Sequence, residues 1–197
     1  MSMTLDVLPG LTPGVGYRPH PLHGPERIWV EKNCYVDICI EVIHALGHEP
    51  LAMLGSTLAI DFDGDQFTFY KPVHRDLVEL YGLDIQELNI WRELLDHVTD
   101  HLAAGRLVST ETDAFWLPDT AGTDYRHQHT KTTVVISALN PEAGRAHYFH
   151  NGGFHELEGE DYQALFRPRA ELPGGLPLYA EVFRADHVAP RSPREQM

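Results

Sequence analysis

After Gly105 the spacing of apolar residues changes, and with it the kind of element the chain can build. Before that glycine, apolar positions recur every three or four residues, the period of a helix with one buried face; beyond it they alternate or run together, as in strands. Tyr35, Ile38, Cys39, Val42, Ile43 and Leu46 form one helical face, with Asn33 in a capping position and Gly47 as a stop. The pattern predicts further helices over about 73–82 and 86–104, the second ended by Gly105. Residues 50–60 are apolar without a decisive period, and Asp63-Gly64 marks a turn into a strand over 66–70.

In the second half, Leu107 to Phe115, Thr132 to Leu139 and Arg145 to Phe149 read as strands. The last two should form an antiparallel hairpin through Asn140-Pro141-Glu142-Ala143-Gly144, and Gly152-Gly153 reads as a bend. A short helix near Glu160 to Phe166 and a strand at Leu178 to Phe183 complete the order. Helices first and sheet after is an α+β arrangement, with the cysteine-bearing helix packed on an antiparallel sheet.

A chain of 197 residues fits one domain. Residues 1–25, rich in Pro and Gly, read as an irregular N-terminal arm, 26–189 as the domain, and 190–197 as a flexible tail. A fold of this size hides roughly 70% of its unfolded surface, so no structural metal or disulfide is required. Cys34 and Cys39 lie five apart on one helix and point in different directions, which excludes a bridge.

The net charge of −14 repels phosphates and argues against nucleic acid or an anionic membrane as partner. Neither a basic-then-apolar leader pattern nor an 18-residue apolar run occurs in this sequence, so a cytoplasmic protein is the expectation.

Chemistry centres on Cys34. At a helix N-terminus, unpaired backbone N–H groups and the helix dipole favour a thiolate, whereas Cys39, in mid-helix on the apolar face, reads as an inert core residue. The amide of Asn33 has two candidate roles, cap or oxyanion donor. A base must come from distant strands: His127 and His129 precede the Val134-Val135-Ile136 run, and His147 and Asn151 lie on or beyond its hairpin partner. A competing arrangement is a metal site built from His127, His129, His147, His150, Asp113 or Asp119, but no compact ligand motif is present and no metal is expected.

The runs Asn33-Cys34-Tyr35-Val36-Asp37 and Glu111-Thr112-Asp113-Ala114-Phe115-Trp116-Leu117-Pro118, followed by His129 before a Val-rich strand, resemble the papain-like cysteine-peptidase superfamily. More narrowly, residues 31–166 resemble an uncharacterised bacterial cysteine-peptidase-like family encoded near amino acid:carrier protein ligases, and distantly the N-terminal domain of the butirosin acyltransferase. The resemblance implies a papain-like fold with Cys34 as nucleophile, His129 as general base and Asn151 as the group orienting it, Asn33 and Asp113 supporting. It implies a cysteine-dependent acyl or aminoacyl transferase, or a thioesterase, acting on thioesters of a carrier protein. The phosphopantetheine arm comes from that partner, and the protein has no cofactor of its own. Lys71, Arg75 and Arg126 are the expected docking cations. The alternatives are a cysteine peptidase, a non-catalytic carrier-binding module and a metal-dependent hydrolase. A turn over Pro141–Gly144 sets His129 opposite roughly Glu156, so Asn151 reaches it only through a bulge, and His150, His155 and Glu156 are rival orienting groups.

Overall fold

A computed structural model describes residues 4–26, 33–168, 171 and 179–189. Its architecture is α+β: a mainly antiparallel sheet with helices on both faces. The strands are β1 (Leu5–Asp6), β2 (Phe62–Asp63), β3 (Gln66–Phe67), β4 (Ile85–Glu87), β5 (Leu107–Asp113), β6 (Lys131–Asn140), β7 (Arg145–His150), β8 (Gly153–Glu158) and β9 (Ala180–Phe183). The helices are α1 (Cys34–Ala45), α2 (His74–Tyr81), α3 (Leu94–Ala103) and α4 (Gly159–Leu165). The main sheet runs β4-β9-β5-β6-β7-β8, and β1 pairs with Ala138 and Leu139 of β6 beyond the stretch where β5 pairs. β2 and β3 form a separate hairpin.

Strand alternation explains the two-sided core. Leu107, Val135, Phe149 and Phe183 face α1 and pack with Val36, Ile38, Cys39, Ile40 and Val42. Val108, Val134, Ile136, Tyr148 and Ala180 face α3 and α4 and pack with Leu94, Val98, Leu102 and Leu165. The central strand β6 is covered on both faces, which is why its middle carries the apolar residues Val134-Val135-Ile136 and Ala138-Leu139, broken only by Ser137.

The β6–β7 register shifts between Ile136 and Ala138, so a bulge falls at Ser137. Asn140 faces Arg145 on the turn side of it, and Val135 faces Phe149 on the other. The shift is a single residue, and the β6–β7 pairing runs from there to Val135 and Phe149, short of the turn that holds Asn151.

Several expectations change. The helix expected over 86–104 is two elements: Ile85–Glu87 is an edge strand on β9, and helix begins only at Leu94. Residues 50–60 form a 3-10 stretch, Pro50–Ala59, and the strand expected over 66–70 is only Gln66–Phe67. Gly152 closes a turn and Gly153 opens β8, which the sequence reading did not foresee. The arm contributes β1. The tail 190–197 lies outside the described residues.

Candidate functional site

Cys34 is the first residue of α1 and is partly exposed. Asn33 caps the helix: its Oδ1 accepts from the N–H groups of Tyr35 and Val36 at 3.2 Å each, and its Nδ2 donates to the Tyr70 carbonyl at 2.6 Å. The cap therefore also ties the return of the β2–β3 hairpin to the helix end that bears the thiol. Cys39 is fully buried, and burial, then the charge of Glu181, pushes its thiol up and out of the reactive range.

His129 lies just before β6. Its Nδ1 is 2.6 Å from Asp113 Oδ2, and its ring stacks on Phe115 with centroids 4.5 Å apart. Asp113 faces Lys131 across the β5–β6 ladder and, by alternation from Leu107, lies on the sheet face that α1 covers. It also accepts from the Phe115 N–H at 3.1 Å, which fixes the carboxylate. A hydrogen bond through Nδ1 leaves Nε2 of His129 for proton transfer.

Asn151 sits at φ 48 in the β7–β8 turn, the left-handed conformation that Asn tolerates. It has no hydrogen bond to His129 among the described residues. Sequence placed Asn151 as the orienting group; the structure joins His129 to Asp113 instead. The rival orienting groups are engaged elsewhere: Glu156 with His147 across the β7–β8 pair, His150 with Asp119, and His155 at 3.9 Å from the same Asp119. Among the described residues no hydrogen bond joins Cys34 to His129 or Asn151.

Beside the His129–Asp113 pair opens a cleft of about 530 Å³, lined by Glu111, Thr112, Trp116, Thr130, Lys131, Ala164, Leu165 and Arg167 as well. Of the expected docking cations, Lys71 is held by Glu181 at 3.3 Å and lies 4.2 Å over the Tyr35 ring. Arg75 pairs with Glu79, and Arg126 with Asp161 and Glu160. Each is engaged by its own carboxylates.

Two buried networks were not foreseen as units. On the α1 side, Glu41 is fully buried and accepts from Tyr17 Oη at 2.5 Å and from the His20 N–H at 3.1 Å. His23 reaches it at 2.5 Å and reaches Asp37, one turn beyond Cys34, at 3.3 Å. The signal was present: Asp37 and Glu41 interrupt a helix that is otherwise apolar on nearly every side.

On the opposite face, His150 joins Asp119 at 2.6 Å and Thr132 Oγ1 at 2.8 Å, and Tyr148 donates to Asp119 at 2.5 Å. Asp119 and His150, weighed earlier as metal ligands, thus bond each other. Among the described residues no three His, Cys, Asp or Glu side chains form a cation site.

Burial works to raise the Asp119 carboxyl, but the hydrogen bond and charge of His150, with help from His155 and Tyr148, hold it below the usual range. A lowered folded-state value stabilises above the ordinary carboxylate pKa and is lost as pH falls. Asp119→Asn should therefore cost about 1–3 kcal/mol at pH 7. The gap to the parent should narrow at pH 3 in urea unfolding; a constant gap would show that the charge contributes nothing.

No helix among the described residues is long and apolar enough to cross a membrane. The family described as DUF1839 N-terminal domain matches residues 18–185, a span holding Cys34, Asp113, His129 and Arg167. No curated protein matches the chain.

Proposed function

The chain belongs to the DUF1839 N-terminal domain family, and from that starting point we propose that it is a papain-like, cysteine-dependent acyl transferase or thioesterase acting on thioesters of a carrier protein, with Cys34 as nucleophile, His129 as general base and Asp113 orienting the base. The observation that carries the reading is the 2.6 Å His129–Asp113 pair, whose carboxylate lies on the sheet face covered by the helix that Cys34 opens. The resemblance to papain-like proteins, stated on the residues around Cys34 and His129, supports it and supplies the carrier-borne donor.

In the proposed reaction His129 takes the proton of Cys34, and the thiolate attacks the thioester carbonyl. The carbon–sulfur bond to the phosphopantetheine arm breaks, and the departing thiol takes the proton back from His129. The acyl group, now on Cys34, passes to an amine or to water, whose proton returns through His129. Exchange between two thioesters is nearly isoenergetic, so the acceptor sets the direction.

A second reading, a carrier-binding module without thiol chemistry, is favoured by the absence of a Cys34–His129 hydrogen bond among the described residues. One experiment decides between them. Incubation with aminoacyl-loaded carrier protein should give an intact-mass adduct that Cys34→Ala abolishes, and iodoacetamide at neutral pH should label Cys34 while sparing the buried Cys39. Equal labelling of both cysteines, or docking with no adduct, would move the protein to the non-catalytic class.

A further inference from the structure

We infer that the cleft beside His129 recognises an anionic group on its ligand, a carboxylate or a phosphate, through Arg167. Of the described lysines and arginines, all but Arg18 and Arg167 pair with a carboxylate. In a chain of net charge −14 such pairing is easily satisfied, which makes an arginine left without it informative. Arg18 is exposed on the arm, whereas Arg167 lines the cleft.

The other ionisable groups of the cleft have partners of their own: Lys131 with Glu111 at 2.7 Å, and Asp113 with His129 Nδ1 at 2.6 Å. The Arg167 guanidinium is the remainder, and it lies 5.7 Å from the Trp116 ring centroid. A cation–π contact at that distance, on a ring that Arg126 also approaches at 4.4 Å, uses none of the Arg167 N–H donors, and a free guanidinium fork can bind planar or tetrahedral oxyanions bidentately. Trp116, Ala164 and Leu165 supply an apolar wall beside it. The ligand so described has an apolar segment along Trp116 and Leu165, an anionic group at Arg167 and its reacting end toward His129.

This inference rests on the acyl-transfer reading and places its substrate in the cleft that holds the proposed base, His129. The negative group has two possible sources in a thioester substrate: the phosphate of the pantetheine arm, or a carboxylate on the acyl chain. Binding to the full chain carrying Cys34→Ala separates them without any turnover. The probes are 4′-phosphopantetheine against pantetheine, and glutaryl-N-acetylcysteamine against butyryl-N-acetylcysteamine, each titrated by calorimetry.

One charged probe should bind about tenfold tighter than its neutral partner, the scale of one charge-assisted hydrogen-bond pair. Arg167→Gln should remove that preference, and Arg167→Lys should keep part of it. Raising salt should weaken only the charged probe. Equal binding of charged and neutral members in both pairs would overturn the proposal, as would an Arg167→Gln loss that is the same for both members. Because Cys34 is absent from the assay, failure here leaves the thiol reading to its own test, and a failed adduct experiment leaves the anion preference standing.

Discussion

His23→Ala should lose about 3–5 kcal/mol of unfolding free energy, a large part of the roughly 5–15 kcal/mol available to a domain. The substitution leaves Glu41, whose side chain is completely buried, without its cation, with only Tyr17 Oη and the His20 N–H as donors. Burial by itself would lower the pKa of His23; hydrogen bonds to Asp37 and Glu41, and their charges, more than reverse this and push it up to about 9. A histidine raised from 6.5 stabilises the fold fully below pH 6.5 and loses that contribution as pH climbs through 9. Urea unfolding should therefore show stability declining between those limits, by at most about 3 kcal/mol. The His23→Gln/Glu41→Gln pair, which keeps hydrogen-bonding groups without the charges, should flatten the decline. A parent curve already flat over this range would remove the ion pair from the account.

Gly152 ties that cluster to the β7–β8 turn. A Cβ built on it would lie 2.7 Å from His23 Cγ and 2.9 Å from His23 Cβ, the base of the side chain and not a movable tip. Gly152→Ala should thus displace His23 from Glu41 and reproduce part of the His23→Ala loss, although it removes no polar group. The arm therefore does more than wrap the surface. Through His23 it clamps the first turns of the Cys34 helix against the turn that carries Asn151.

What could be read from the sequence follows the range of the physics involved. The Asn33 cap and the apolar face of α1 are local, set within four residues, and both are found in place. β6 is equally plain, because a strand covered on both faces puts apolar residues at successive positions, as at Val134-Val135-Ile136. β4 was misread because a three-residue edge strand has no period of its own; its ladder partner β9 lies about a hundred residues away, and tertiary pairing overrode the helical spacing. β8 was missed although Asn151-Gly152 is a strong two-residue hairpin signal. His129 was singled out from its place before a valine-rich strand. Its acidic partner was not legible, because the choice between Asp113 and Asn151 depends on the register of two different strand pairs, and a single bulge at Ser137 alters one of them.

That choice sets the last expected result. If Asp113 orients His129, Asp113→Asn should lower kcat/KM for a carrier-bound or small-molecule thioester by about 10²–10⁴, the range of a general base held in the wrong tautomer or orientation. Asn is the informative replacement, since it can still accept from the Phe115 N–H and so preserves the local turn. Asn151 requires different handling. At φ 48 an alanine would add backbone strain of about 1–2 kcal/mol, whereas Asn151→Gly deletes the amide at no steric cost. Asn151→Gly should leave kcat/KM within a few-fold of the parent. The stability of the variant separates catalysis from folding. Thermal unfolding should move little, as the pair is largely exposed, with 71% of the His129 side chain and 37% of the Asp113 side chain accessible. The reverse pattern, a large loss from Asn151→Gly and a small one from Asp113→Asn, would mean that the β7–β8 turn swings in to complete the site when substrate binds, and that the His129–Asp113 pair is only a resting contact.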